Sequence, residues 1–133
     1  MRKRILLSAM MVGLLGAAVL ATSGDRPASP FQSAIVTFNE PTEVAGVFVN
    51  GTVLITHDDT MSLTEPCTTI YRLDPVKGAQ EELVSFACVP AERDRAETFT
   101  FRTRRDPMTG CAQLVEFQFA GDTEAHGVPY RAE

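Results

Sequence analysis

Polar and apolar residues alternate along most of the chain with a period of two, the period of half-buried strands. Residues 33–39 (SAIVTFN) form the first such run, with Ile35 on one face and Val36 and Phe38 on the other. Pro41 is expected to end it, since proline donates no ladder hydrogen bond. Residues 44–49 predict a second strand and residues 52–56 (TVLIT) a third. Asn50-Gly51 between them is the strongest hairpin signal in the chain, because both turn positions need positive φ. Residues 68–73 and 82–89 predict another hairpin around Asp74-Pro-Val-Lys-Gly78. Phe99 and Phe101 alternate with threonines, and Val115, Phe117 and Phe119 alternate with Glu116 and Gln118. The tail from Ala120 carries Gly121, Gly127 and Pro129 and reads as loop with a short edge strand.

No window beyond the N-terminal segment carries a helical apolar stripe longer than about two turns. Turn residues recur every eight to twelve residues, the spacing of an all-β domain. The pattern predicts a small antiparallel β-sandwich or barrel of about six or seven strands. It follows an N-terminal signal-peptide helix.

That N-terminal segment has the three parts of a secretory signal. Arg2, Lys3 and Arg4 are basic, residues 5–20 are apolar or small, and Val19 and Ala21 stand at the −3 and −1 positions of a cleavage site. The organisation read from this is a signal peptide over 1–21, a flexible lead-in over 22–32 and one β domain over 33–133. The alternative is a retained anchor, but the apolar run is shorter than the ~20 residues of a comfortable span. No cysteine follows the run, so a lipoprotein anchor is not indicated. The expected location is periplasmic or extracellular, with no membrane span after cleavage.

The chain has 133 residues, 44% hydrophobic and 22% charged, which suits a folded domain. Its formal charge is −5, and removal of the basic leader residues leaves about −8. Such an acidic domain lacks the basic footprint that nucleic acid demands. Tryptophan is absent, so any aromatic platform rests on Phe and Tyr.

Of the three cysteines, Cys67 and Cys88 fall opposite each other if the 74–78 hairpin pairs residues summing to about 155. An oxidising compartment then predicts a Cys67–Cys88 disulfide, with Cys111 left over. Three buried thiols are the alternative. No CxxC motif is present, so thiol oxidoreductase chemistry is not indicated.

Candidate chemistry is sparse. His57, Asp59 and His126 are the one candidate metal set, since imidazole and carboxylate suit zinc or copper and three ligands must converge. The competing reading has His57-Asp58-Asp59 as a solvated strand exit. Asp122, Thr123 and Glu124 form an acidic turn without EF-hand spacing. No serine has a nucleophile-elbow context, and Glu81 with Glu82 is a weak hydrolase pair. Arg93, Arg95, Arg102, Arg104 and Arg105 read as a charged edge against sheet-to-sheet association, or else as a surface for a carboxylate-bearing partner. Asn50-Gly-Thr52 matches a glycosylation acceptor, but the turn accounts for it. No cofactor motif and no catalytic residue is identified.

Residues 47–59 (VFVNGTVLITHDD), 65–73 (EPCTTIYRL), 86–90 (FACVP) and 116–130 (EFQFAGDTEAHGVPY) resemble small exported bacterial β-domain proteins of uncharacterised activity. The resemblance implies export and a β architecture. It carries no activity or site residues. The sequence therefore predicts a non-enzymatic exported β domain that binds an unidentified protein, polymer or envelope component. The second reading is a metal-binding exported protein built on His57, Asp59 and His126.

Overall fold

The computed structural model describes residues 30–131. The leader and most of the lead-in lie outside them. Eight strands are present: β1 (Phe31–Val44), β2 (Val47–Asp58), β3 (Thr68–Asp74), β4 (Gly78–Phe86), β5 (Val89–Glu92), β6 (Thr100–Arg105), β7 (Ala112–Gln118) and β8 (Glu124–Gly127). The domain is all-β among the described residues, with eight strands rather than six or seven. They form one open sheet in the order β4-β3-β2-β1-β7-β8-β5, with β6 on β7. The pairings are antiparallel except β1 with β7, which is parallel through Thr42 and Glu43 opposite Ala112 and Gln113.

β1 begins at Phe31, inside the expected lead-in, and runs straight through Pro41. Its register against β2 shifts between Phe38 and Thr42, so Pro41 sits in a bulge and interrupts no ladder bond. The first hairpin turn is not Asn50-Gly51. It is Ala45-Gly46, where Val44 faces Val47 and φ is 49° and 88°. Both positions take the positive φ of a two-residue hairpin. Asn50-Gly51 lies inside β2 against the bulge, with Gly51 opposite Phe38 and φ at 79°. Its permissive backbone serves the irregular register there, not a chain reversal.

The β3–β4 hairpin turns where expected. Asp74 accepts hydrogen bonds from the amides of Val76 and Lys77, both at 2.8 Å. Its register is one residue from the expected one at the open end, with Thr69 opposite Ser85 and Thr68 opposite Phe86, and departs further near the turn, where Tyr71 faces Glu82 and Leu73 faces Ala79. β5 carries Pro90 opposite His126. Proline is tolerated because β5 is an edge strand whose one partner is β8.

The core draws on both ends of the sheet. Val53, Ile55, Ile70 and Phe86 from β2–β4 join Leu114 and Phe117 from β7 and Phe119 just beyond it. β2 and β8 are separated by two strands in the sheet, yet the rings of His57 and His126 lie 4.0 Å apart. The sheet therefore folds over on itself around the phenylalanines. The arginines of β6 and its flanks stand outside and are largely compensated: Arg93 and Arg102 reach Glu116 at 2.6 and 3.7 Å, and Arg105 reaches Glu40 at 2.8 Å.

Phe86 is fully buried in this core. Its replacement by alanine is expected to cost about 3–5 kcal/mol, read as a lowered urea midpoint under reducing conditions. Val76→Ala, at an exposed hairpin tip, should move stability by no more than about 0.5 kcal/mol. An equal effect of the two would mean that the sheet does not close over Phe86.

Candidate functional site

His57 sits near the end of β2, one residue before the strand stops. Alternation along the strand turns Val53, Ile55 and His57 to the same buried side. His57 is thus the last residue of a core-facing row rather than part of a solvated exit. Thr68, buried at the start of β3, lies opposite it, and its hydroxyl is 3.1 Å from His57 Nδ1. On the other side of the ring, Nε2 meets Asp59 Oδ1 at 2.6 Å. That short contact to a carboxylate holds the proton on Nε2 and leaves the Nδ1 lone pair facing inward.

His126 stands in β8, fully buried. The loop before β8 is tied down in several places. Gln118 donates to the carbonyls of Asp94 and Asp122 at 2.8 and 2.7 Å. The amide of Arg93 donates to Thr123 O at 2.8 Å, and Gly121 N donates to Ala96 O at 2.7 Å. These bonds set the tail against β7, where pattern reading had expected loop with an edge strand. The His126 ring then stacks on Phe117 at 5.2 Å and meets Phe119 edge-on at 5.7 Å.

Cys88 lies between β4 and β5 and is buried. Its Sγ is 3.5 Å from His126 Nδ1 and 3.9 Å from His57 Nδ1. Donor atoms of His57, Cys88 and His126 all lie within 4.8 Å of one another. The fold thus brings together the two histidines expected as ligands, but with a sulfur as their companion. Asp59 is placed on the outer nitrogen of His57.

Cys67 and Cys88 are free thiols, with no disulfide between them. Their sulfurs are 2.9 Å apart, and Cys88 N donates to Cys67 Sγ at 3.3 Å. The expected proximity is present, the expected bond is not. The expected register did not produce the proximity either: both residues have left their strands and approach beyond the ladder's end. Cys111 is remote from this group and contacts Thr109.

Burial governs the protonation of the cluster. Desolvation, and after it the charge of His57, lowers the pKa of His126 to about 4. Its ring is neutral at neutral pH. Burial also pushes the Cys88 thiol up to about 12, with the Cys67 hydrogen bond and charge adding to the rise. Glu124, 3.8 Å from His126 Nδ1, is raised by burial and then by Asp59 and Asp122. Asp122 lies 4.0 Å from His126 Nε2. That nitrogen is buried without a hydrogen-bond partner, a loss of about 1–3 kcal/mol relative to a satisfied group.

A groove of about 370 Å³ opens onto the cluster, with His57, Cys67 and Cys88 on its floor and Asp59, Asp122 and Glu124 among its walls. No family model, no curated protein and no solved structure matches the chain. The local geometry alone informs the chemistry.

The unfolded chain binds a proton on His126 below its ordinary pKa of 6.5, while the folded chain resists it down to about 4. Stability of the metal-free protein is therefore present above 6.5 and is lost as pH falls from 6.5 to 4. The expected loss is about 2–3 kcal/mol, measured as urea midpoints across that window in the presence of chelator. His126→Gln should flatten this part of the profile. An unchanged slope in the variant would remove His126 as its source.

Proposed function

We propose that the protein is an exported, non-catalytic β domain that binds a thiophilic transition-metal ion, zinc or copper, through His57, Cys88 and His126. The single observation carrying this reading is the convergence of three nitrogen and sulfur donors, two of them on residues, His57 and Cys88, that line a groove.

Distances support it. Tetrahedral zinc with bonds of about 2.0–2.1 Å to nitrogen and 2.3 Å to sulfur sets sulfur–nitrogen separations near ~3.5 Å. The two separations from Cys88 to imidazole Nδ1 are 3.5 and 3.9 Å. Both rings therefore turn Nδ1 to the sulfur. His57 turns Nε2 to the Asp59 carboxylate at 2.6 Å, whereas Asp122, 4.0 Å from His126 Nε2, makes no hydrogen bond to it. A carboxylate behind a ligating imidazole fixes the tautomer and strengthens the donor. Asp59 serves in this reading as a positioning residue, not a ligand.

Protonation is compatible as well. A neutral His126 needs no proton removed before binding. The Cys88 thiol must lose one to the metal, so binding releases a proton and strengthens with pH. The nitrogen and sulfur donors at the floor favour zinc or copper over calcium or magnesium, which take oxygen ligands. Three protein donors leave one position of a tetrahedral ion open; the role proposed is binding. Export rests on the basic, apolar and small-residue order of the first 21 positions.

Titration of the reduced full chain with Co²⁺ should produce a thiolate-to-cobalt charge-transfer band at one equivalent, displaced by Zn²⁺. His57→Ala, Cys88→Ser and His126→Ala are each expected to weaken Zn²⁺ binding by at least about 100-fold, and Asp59→Asn by about 10–100-fold. Cys111→Ser should leave binding unchanged. A charge-transfer band that persists in Cys88→Ser, or no Co²⁺ binding by the reduced wild type, would sink the proposal.

A further inference from the structure

We infer that the metal site is redox-gated: the Cys88 sulfur can serve the metal or form a disulfide with Cys67, but not both. This inference rests on the metal-binding reading above and names its regulation.

Geometry places both options within reach of one atom. Cys88 Sγ stands 3.5 and 3.9 Å from the two imidazole nitrogens and 2.9 Å from Cys67 Sγ. Cys67 is outside the converging triad, yet it is held against Cys88 by a second contact, the Cys88 amide donating to its sulfur at 3.3 Å. The two thiols also differ in access. Cys88 is buried, whereas Cys67 is half-buried and faces grooves on either side of His57. An incoming oxidant meets Cys67 first.

The balanced step is thiol–disulfide exchange with a low-molecular-weight disulfide, R–S–S–R. Cys67 sulfur attacks one sulfur of R–S–S–R, its own S–H proton leaves to solvent, and R–S⁻ departs and takes up a proton. Cys88 then gives up its own S–H proton to solvent, its sulfur attacks Cys67 in the mixed disulfide, and the second R–S⁻ departs and takes up a proton. Two cysteine thiols are oxidised, and one disulfide is reduced to two R–SH. If a metal ion is bound, its bond to Cys88 breaks in the second step. The site keeps His57 and His126 but loses its sulfur, and with it most of its affinity for a thiophilic ion. Reduction reverses the sequence and restores the donor.

This arrangement couples two properties that an oxidising compartment would otherwise set against each other. A disulfide there is expected on chemical grounds, and a thiolate ligand needs the reduced state. Bound metal occupies the Cys88 sulfur and blocks the second attack, so metal protects against closure as closure protects against metal. That reciprocity is a thermodynamic necessity once both bonds compete for one atom.

The test uses the full chain, with Zn²⁺ as the metal and oxidised glutathione as the oxidant. Reduced protein, with its three thiols, should bind one Zn²⁺. After oxidation two thiols should disappear, Zn²⁺ affinity should fall at least tenfold, and dithiothreitol should restore both. Zn²⁺ added first should slow the loss of thiols. Cys67→Ser, with Cys67→Ala as a second variant should the first fold poorly, should bind Zn²⁺ at least as tightly as the wild type and ignore the oxidant. Retained affinity after two thiols are lost would overturn the gating, as would persistence of all three thiols. Loss of Zn²⁺ binding in both folded Cys67 variants would also overturn it, making Cys67 a ligand. Failure of the reduced wild type to bind Zn²⁺ would instead overturn the metal reading itself.

Discussion

Two imidazoles packed 4.0 Å apart inside an aromatic core form the constraint on which the rest of this structure depends. Their strands, β2 and β8, are not neighbours in the sheet. The contact requires the sheet to fold over until its two halves share a core. β1 makes that possible. It is 14 residues long, carries a bulge at Pro41, and pairs with β2 on both sides of that bulge while Thr42 and Glu43 pair with β7 as well. A bulge bends a strand and raises its local twist, which a straight 14-residue strand could not supply. The same interior disfavours charge, so the rings meet with His126 held neutral. Fold and protonation state are thus set by one act of burial.

Much of the strand content was legible in the chain because alternation is a local property. Residues 33–38, 68–73 and 112–118 show it directly, and the structure has strands there. The differences between pattern and fold are of one kind: a local signal gives way where long-range pairing decides. Asn50-Gly51 has the right residues for a tight turn, but Ala45-Gly46 adopts the turn, and the register of a 12-residue β2 places Asn50-Gly51 against a bulge. Pro90 should stop a strand. It instead stands second in a short edge strand whose existence depends on β8, more than 30 positions away. The tail had too few apolar residues to look like interior, yet Ala125 and His126 are both fully buried. Gln118, a polar residue that alternation assigned outward, anchors that tail through two carbonyls.

The candidate site was legible in the same partial way. His57 and His126 were visible as the two imidazoles of the chain, and the period of β2 could have shown that His57 shares a face with Val53 and Ile55. Cys88 was visible too, but its sulfur was assigned to Cys67 by a hairpin register that proved one residue off. That assignment concealed a second neighbour for the same atom. Asp59 was seen as a donor by its proximity in sequence to His57. Asp59 lies in the turn just past the end of β2, and from there it reaches the outer nitrogen of the ring and not the inner one. What sequence alone could not supply was the closure of the sheet, which decides that Cys88 and His126 meet.

The chemistry of such a cluster separates attraction from selection. Asp59, Asp122 and Glu124 line the groove and draw any cation toward it, whatever its kind. The inner donors discriminate. Two imidazole nitrogens and one sulfur offer poor coordination to calcium or magnesium and good coordination to zinc or copper. Against this stands the proton on Cys88, which burial holds far more tightly than in water. An ion must displace that proton, and weakly polarising cations lack the means. In the proposed metal-binding role, the raised thiol pKa would therefore be a second filter, favouring ions whose bond to sulfur exceeds the affinity of the buried thiolate for a proton.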